Sequence, residues 1–308
     1  MSEFSHIPIM LSQCIEGLAI KPEGIYVDGT CGGAGHSKEI AKRLVGGMLY
    51  GLDQDPDAVA VATQRLQGLP AKVIHTNFRQ ARYALSQEGV EKIDGVLLDL
   101  GVSSFQLDNA QRGFSYSADA FLDMRMSKEG KTAADLVNEL PLQELTDILR
   151  KYGEEKFAYG IAKKIVAYRE NEKITTTKQL SEIVNSAYPA AQRRKSKNPS
   201  RQTFQALRIA VNDELGALEE ALSELFDMLN PGGRMCIMTF HSLEDRIVKQ
   251  YFKTLAIKCT CPKELPVCIC GGIAKAELIT RKPIEADEAE QSENRRSRSA
   301  KLRIIEKI

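Results

Sequence analysis

At 308 residues, with 43% hydrophobic and 27% charged residues, the chain has the balance of an ordinary globular protein and the length for one large or two modest domains. A net charge of +1 excludes a globally basic nucleic-acid binder, so any footprint for RNA or DNA must be local. Seven cysteines at low density do not make a secreted disulfide framework, no apolar run approaches membrane-span length, and MSEFSHIPIM lacks a signal peptide's layout; a cytoplasmic protein with no membrane partner is expected.

In chain order, residues 25–28, 48–53, 72–75 and 93–99 read as buried strands, and 37–44, 56–66 and 79–86 as the helices between them. Such alternation predicts parallel βαβ units with right-handed crossovers. From about residue 105 to 199 the strand pattern stops, and helix starts take over at Thr132 with Asp135, at Pro141, and at Thr176 with Gln179. A basic run at 193–201 follows. One long amphipathic helix is then expected from Leu207, Val211, Leu215, Leu218, Leu222, Leu225 and Leu229, stopping at Asn230-Pro231-Gly232-Gly233. A strand at 234–240, a helix at 242–255 and strands near 276–280 and 301–305 complete the chain. The expected architecture is a discontinuous α/β core, residues 1–104 and 205–308, split by an all-helical insertion at 105–204 that would recognise the substrate.

The loop Val27-Asp28-Gly29-Thr30-Cys31-Gly32-Gly33-Ala34-Gly35-His36-Ser37 lies at the end of the first strand and opens a helix. Glycines there let backbone pass close to a ligand. A dinucleotide fingerprint needs G-x-G-x-x-G, but the frame Gly33-x-Gly35-x-x-Lys38 lacks its last glycine, and no GK[ST] closes a P-loop. Asp53 at the end of strand two is placed to accept hydrogen bonds from ribose hydroxyls. Loop and acid together, without phosphate chemistry, point to an adenosyl ligand with no pyrophosphate, which S-adenosylmethionine satisfies; a dinucleotide or a purely structural turn are the alternatives. Phe78 would either stack on adenine or join the core. Asp99, at the end of strand four, faces the crevice where switch-point ligands bind.

His241, just past the strand at 234–240, is a candidate site residue, with a turn histidine, or a helix capped by Ser242 and Asp245, as the structural alternative. Arg193, Arg194, Lys195, Lys197 and Arg201 suit a phosphate backbone, and Arg295, Arg296 and Arg298 form a weaker second run. Arg112, Phe114, Tyr116 and Phe121 could line a pocket for an unstacked base or pack the insertion. Cys259, Cys261, Cys268 and Cys270 could hold a structural zinc, although C-x-C twice departs from the usual C-x-x-C spacing; free thiols are the alternative. Methyl transfer from a sulfonium needs no catalytic metal.

HIPIM at His6 to Met10, VDGTCGGAGHS, LDQDP at Leu52, DLGVSSFQLD from Asp99, RGFSYSADAFLDMRM from Arg112, TFQALRIAVNDEL from Thr203, LNPGGR, TFHSLEDRIVK from Thr239 and the closing NRRSRSAKLRIIEK stand in this order along the chain. In these blocks the sequence resembles, end to end, the bacterial small-subunit ribosomal RNA cytosine-N4 methyltransferases, the MraW or RsmH family. The resemblance implies a Rossmann-like class I S-adenosylmethionine-dependent methyltransferase sheet with a helical insertion. It implies as substrate the exocyclic amine of a cytidine in the decoding region of 16S rRNA, within the small ribosomal subunit. Cofactor contacts would come from Ala34, Gly35, His36, Asp53, Phe78, Asp99 and Gln106. Many DNA amine methyltransferases carry an Asp/Asn/Ser-Pro-Pro-aromatic motif at the fourth strand; here Asp99-Leu100-Gly101-Val102 stands instead. That departure leaves the residue holding the acceptor amine open, with Asp99, Ser103, Ser104 and His241 as candidates. An oxidoreductase and a ribosome-assembly factor that binds the cofactor without catalysis are the rival readings.

Overall fold

The first strands carry β-branched and aromatic residues between breakers, and each ends on an acid: β1, Ile25–Asp28, β2, Met48–Asp53, and β4, Ile93–Asp99. The structure, a computed structural model, describes residues 8–189, 198–257, 261, 265, 269 and 272–308. Between these strands lie α2 (Gly35–Ala41), α3 (Pro56–Arg65), β3 (Ala71–His75), a 3-10 turn at Phe78–Gln80 and α4 (Ala81–Gln87). A helix not foreseen from the sequence, α1 (Leu11–Leu18), precedes them. The chain divides into two compact units: Met1–Gly101 with Gly216–Ile308, and Val102–Leu215.

In the first unit an eight-stranded sheet runs β3-β2-β1-β4-β5-β8-β6, with the further strand β7 paired to β8. Its members beyond β4 are β5 (Leu229–Thr239), β6 (Ala276–Leu278), β7 (Ile284–Glu285) and β8 (Lys301–Lys307). β1 to β5 are parallel, and β8 runs antiparallel to β5. The order reverses at β1, whose neighbours are β2 and β4, so the topological switch point falls where Asp28, Asp53 and Asp99 end their strands. Asn230 to Gly233 do not end a helix before the strand begins. They sit inside β5 as a register shift, with Leu229 opposite Ile93 and Arg234 opposite Gly95.

The second unit is helical: α5 (Ser104–Asp108), α6 (Ala133–Glu139), α7 (Leu142–Gly153), α8 (Ala158–Arg169), α9 (Thr177–Ala187) and α10 (Ser200–Asn212). Capping boxes at Thr132 with Asp135 and Thr176 with Gln179 start α6 and α9 as expected. Extended backbone there amounts to one antiparallel bridge between Phe121 and Thr176 among the described residues.

The single helix expected over Leu207 to Leu229 is two, α10 and α11 (Glu214–Met228), broken at Asp213 with φ 45°. Asn212 explains the break. Its amide donates to the Met124 carbonyl at 2.8 Å and accepts from the Met126 amide at 2.8 Å, holding the chain end while Asp213 turns left-handed. The leucine stripe therefore serves two cores: Leu207 packs with the helical unit, whereas Leu218, Leu222 and Leu225 pack with the sheet. This also moves the boundaries. The expected limit at 204/205 falls inside α10, and the units divide instead at 101/102 and 215/216.

Candidate functional site

Three carboxylates meet at neighbouring strand ends. Asp28 is fully buried, with Oδ2 accepting from the Ser37 hydroxyl at 2.6 Å and Oδ1 from the Thr30 amide at 3.2 Å. Asp53 is half-buried; its Oδ2 accepts from the Gly32 amide at 2.8 Å and its Oδ1 from the Asp55 amide at 2.9 Å. Asp99 is oriented through its backbone, whose N–H donates to the Thr30 hydroxyl at 2.7 Å. Neither Asp99 carboxylate oxygen accepts a hydrogen bond from a described residue, and its side chain keeps 29% exposure.

Burial pushes Asp28 and Asp53 up to about 6. Asp99 is held well above the ordinary carboxylate range, by burial first and then by the negative charges of Asp28 and Glu244. Among the described residues none of the three has a Lys or Arg partner. His36 lies 3.8 Å from Asp99 through Nδ1, and burial draws it down to about 4, so it is neutral at physiological pH. The crevice is therefore rich in acceptors and short of positive charge.

The loop shapes this crevice in ways its glycines did not announce. At Gly29 an added Cβ would meet Leu98 Cδ2 at 2.4 Å and Phe78 Cβ at 3.1 Å, so close packing excludes a side chain. Gly32, at φ +48°, aims its N–H at Asp53. Ala34 takes a left-handed turn at φ 60° and is buried. Gly35 makes room for the Pro8 ring, 2.3 Å from where its Cβ would stand. His36 is buried, with Nε2 3.0 Å from the Ile9 carbonyl and Nδ1 3.8 Å from Asp99 Oδ2. Phe78 is half-buried on the 3-10 turn, beside Gly29 and against the sheet core.

Other candidates have structural tasks. His241 is the N-cap of α12 (Ser242–Ala256), with Nδ1 accepting from the Glu244 amide at 3.4 Å and Nε2 3.0 Å from Glu244 Oε1. The Ser242–Asp245 cap does not form, because Asp245 pairs with Arg303 through contacts of 2.7 and 3.1 Å. In the helical unit, Ser103 and Gln106 form the capping box of α5, the Ser103 hydroxyl accepting from the Gln106 amide at 3.2 Å and the Gln106 carbonyl oxygen from the Ser103 amide at 3.1 Å. The Ser104 side chain lies outside the described residues. Arg112 is buried, its guanidinium donating to the Arg125 and Met126 carbonyls at 2.9 and 3.0 Å and lying 5.9 Å from the Phe114 ring. Tyr116 packs edge-on against Phe204 at 5.7 Å, so of that aromatic group only Phe121, at 50% exposure, faces outward. Arg193, Arg194, Lys195 and Lys197, and Cys259, Cys268 and Cys270, lie outside the described residues; Cys261 is half-buried. Two acids were not singled out from sequence, Asp28 and Glu244. Asp28 occupies the same strand-end position as Asp53 and Asp99, a signal that was available; Glu244 gave none.

The family model of the MraW methylase family matches residues 3–308. The ribosomal RNA small subunit methyltransferase H of Lachnospira eligens is 51% identical over 310 residues, spanning 99% of this chain and 98% of that protein. Ribosomal RNA small subunit methyltransferase H 2 of Agathobacter rectalis is 53% identical over 310 residues, 99% of each chain. The Clostridioides difficile protein of the former name is 51% identical, spanning 99% of this chain and 100% of that one.

The residues present fit the cofactor. S-adenosylmethionine brings a sulfonium and an ammonium, the positive charge that no described Lys or Arg supplies to the three acids. Each Asp53 oxygen retains a lone pair beyond its backbone donor, so ribose hydroxyls can still be accepted. The sheet is that of a class I S-adenosylmethionine-dependent methyltransferase. Matched over almost its whole length, the chain belongs to the MraW methylase family and is a methyltransferase that uses S-adenosylmethionine.

Proposed function

We propose that this enzyme methylates the exocyclic N4 amine of a cytidine in the decoding region of 16S rRNA, acting in the cytoplasm on the small ribosomal subunit. The observation that carries the reading is the cation-poor group of acids at the switch point of a chain in this family. The names of the relatives, all ribosomal RNA small subunit methyltransferases, support the substrate.

The cofactor supplies a methyl group already activated by positive sulfur. Ala34, Gly35, His36, Asp53, Phe78, Asp99 and Gln106 would hold it, Asp53 through its remaining lone pairs. A cytosine amine shares its lone pair with the ring, so the protein's work is orientation, exclusion of water and acceptance of the amine hydrogens. Of the acceptor candidates, Ser103 and His241 are engaged as helix caps, whereas no described residue donates a hydrogen bond to the Asp99 oxygens. We place the reacting end of the site at Asp99. Residues 102–215, with the basic run they contain, would bind the RNA, Phe121 offering a face for base stacking.

The test is transfer of a labelled methyl group to unmodified small subunits and to free rRNA, followed by nucleoside analysis. N4-methylcytidine from the decoding region is expected. Label on adenosine would keep the enzyme class and overturn the base, and cofactor binding with no transfer to either substrate would favour the assembly-factor reading.

A further inference from the structure

The segment Asn294-Arg295-Arg296-Ser297-Arg298-Ser299-Ala300 before β8 folds as a 3-10 turn over Arg295–Ser299. Three residues make one turn of such a helix, so side chains at i and i+3 stand on the same side. Asn294, Ser297 and Ala300 share the inner side: Ser297 and Ala300 are buried, and the Ser297 hydroxyl donates to the Asn294 carbonyl at 2.8 Å. Arg295 and Arg298 share another side, and both are exposed. The backbone beneath them is held by the Asn294 side chain, which accepts from the Arg296 amide at 3.1 Å, and by amide bonds of 3.0 Å from Ser297 to the Asn294 carbonyl and from Ala300 to the Ser297 carbonyl. The two cations are thus presented together from a fixed support.

Their charge is not spent within the fold. Arg298 Nε donates to the Gln291 carbonyl at 3.3 Å, which steadies the side chain and leaves both terminal nitrogens without a described partner. On the adjoining α13 (Glu288–Glu293), Glu290 accepts from the Met10 amide at 2.7 Å. No acid among the described residues forms an ion pair with Arg295 or Arg298.

The place of the turn gives that charge a use. β8 runs antiparallel to β5, so the turn feeding it lies at the carboxyl ends of the parallel strands: Lys301 is opposite Thr239, and Met238 is opposite Asp99. Two strand spacings of about 4.8 Å separate β8 from β4, which puts the start of β8 about 10 Å from the Asp99 strand end. The crevice there is lined by acids. A polyanion entering it is repelled unless cations at its rim offset those charges.

We propose that Arg295 and Arg298 form a phosphate clamp for the substrate RNA, gripping the backbone beside the nucleotide whose base enters the crevice. The inference rests on the RNA-methylation reading and adds a contact made by the sheet unit, separate from the basic run at 193–201. Guanidinium suits the task because its planar fork meets two phosphate oxygens at once.

Binding of free rRNA and of unmodified small subunits, measured over a range of salt and paired with single-turnover methyl transfer, tests the clamp. An unaltered protein that binds and methylates neither would overturn the RNA reading itself. With that reading standing, Arg295→Gln combined with Arg298→Gln should weaken RNA binding about tenfold or more and reduce the slope of log affinity against log salt by about 1.4 to 1.8, with S-adenosylhomocysteine affinity unchanged. Lysine at both positions should keep the slope and lose part of the affinity. An unchanged slope overturns the clamp. Loss on small subunits with intact binding of free rRNA also overturns it, and assigns the arginines to a ribosomal protein. A neutral methylphosphonate beside the target cytidine should weaken binding to the unaltered protein and weaken it no further in the double variant; additive losses refute the placement next to that nucleotide. Should the double variant fail to fold, Arg295→Gln alone removes no described contact and should lower the slope by about half as much; no change would refute the clamp.

Discussion

Lowering the pH from about 7 to about 5 should loosen the methyl donor's grip roughly tenfold for each acid that must be ionised in the complex. In the free protein Asp53 titrates at about 6 because burial disfavours its charge. A ligand that brings positive charge and hydroxyl donors stabilises the carboxylate, so the complex holds the ionised form and binding expels a proton. For a group at about 6 that stays ionised when bound, the fraction already ionised rises from about one-tenth at pH 5 to about nine-tenths at pH 7, and affinity follows it. Asp28, also at about 6, would steepen the dependence to about a hundredfold if the same ligand charge reaches it. Stability of the unliganded protein runs the opposite way. Both folded values lie above the unfolded value of about 3.9, so these acids contribute fully below about pH 4 and their contribution is lost as pH rises through about 6. Calorimetry at both pH values, each in two buffers of different ionisation enthalpy, measures affinity and proton release together. Constant affinity, or affinity that falls as pH rises, would refute the electrostatic account, and Asp53→Asn should flatten the dependence.

Gly29→Ala would drive a methyl to 2.4 Å from Leu98 Cδ2, so a loss of about 1–3 kcal/mol in urea unfolding is expected together with weaker methyl-donor binding as Phe78 shifts; wild-type behaviour in both would contradict the packing. His241→Asn replaces the Nδ1 acceptor with an N-cap oxygen for the α12 amides and should keep kcat within a few-fold, whereas a fall of a hundredfold would make His241 catalytic rather than a cap. Neutralising Arg193, Arg194 and Lys195 should weaken RNA binding and flatten the slope of log affinity against log salt by about 2 to 3, and an unchanged slope would make the run a solvated loop. Phe121→Ala should weaken RNA binding about tenfold with little change in thermal midpoint, because the residue is already 50% exposed; lost stability with intact binding would return it to packing.

β1, β2 and β4 were legible because each is a short apolar run closed by an acid, and their parallel order followed from the helices between them. Legibility failed where one pattern served two masters. The leucine steps from Leu207 to Leu229 carry no sign that the partner changes from the helical core to the sheet core, since apolar periodicity records burial but not against what. Asn212 breaks the helix through contacts with Met124 and Met126, more than eighty residues distant in sequence, which no local rule anticipates. At the site, Asp53 and Asp99 followed from position on their strands. The choice of His241 over Ser242 as a cap did not, because cap preferences rank serine well above histidine and the outcome was set by Asp245 pairing with Arg303 across fifty-eight positions. Gly35 was read as a place where backbone passes close to a ligand, and the group that approaches it in the structure is Pro8.

The arrangement at the switch point makes sense only with a ligand in view. Three acids raised above their ordinary range, one of them with no hydrogen-bond donor to its carboxylate among the described residues, are a burden on the free fold that apolar or amide side chains would relieve. A lysine placed among them would relieve it as well, and would then repel the positive sulfur that the chemistry brings. Without a Lys or Arg among the described residues to offset them, the acids take the cofactor as their counter-ion: the cost of their charge in the free protein is relieved on binding and appears as affinity. The demethylated product has a neutral sulfur and keeps its ammonium, so transfer removes one of the two positive charges that the acids hold. Product should therefore bind through the ammonium end while losing the sulfonium term, and S-adenosylhomocysteine should show a weaker pH dependence than the methyl donor. Identical pH profiles for the two ligands would mean that the acids sense the ammonium and the ribose and are indifferent to the charge at sulfur.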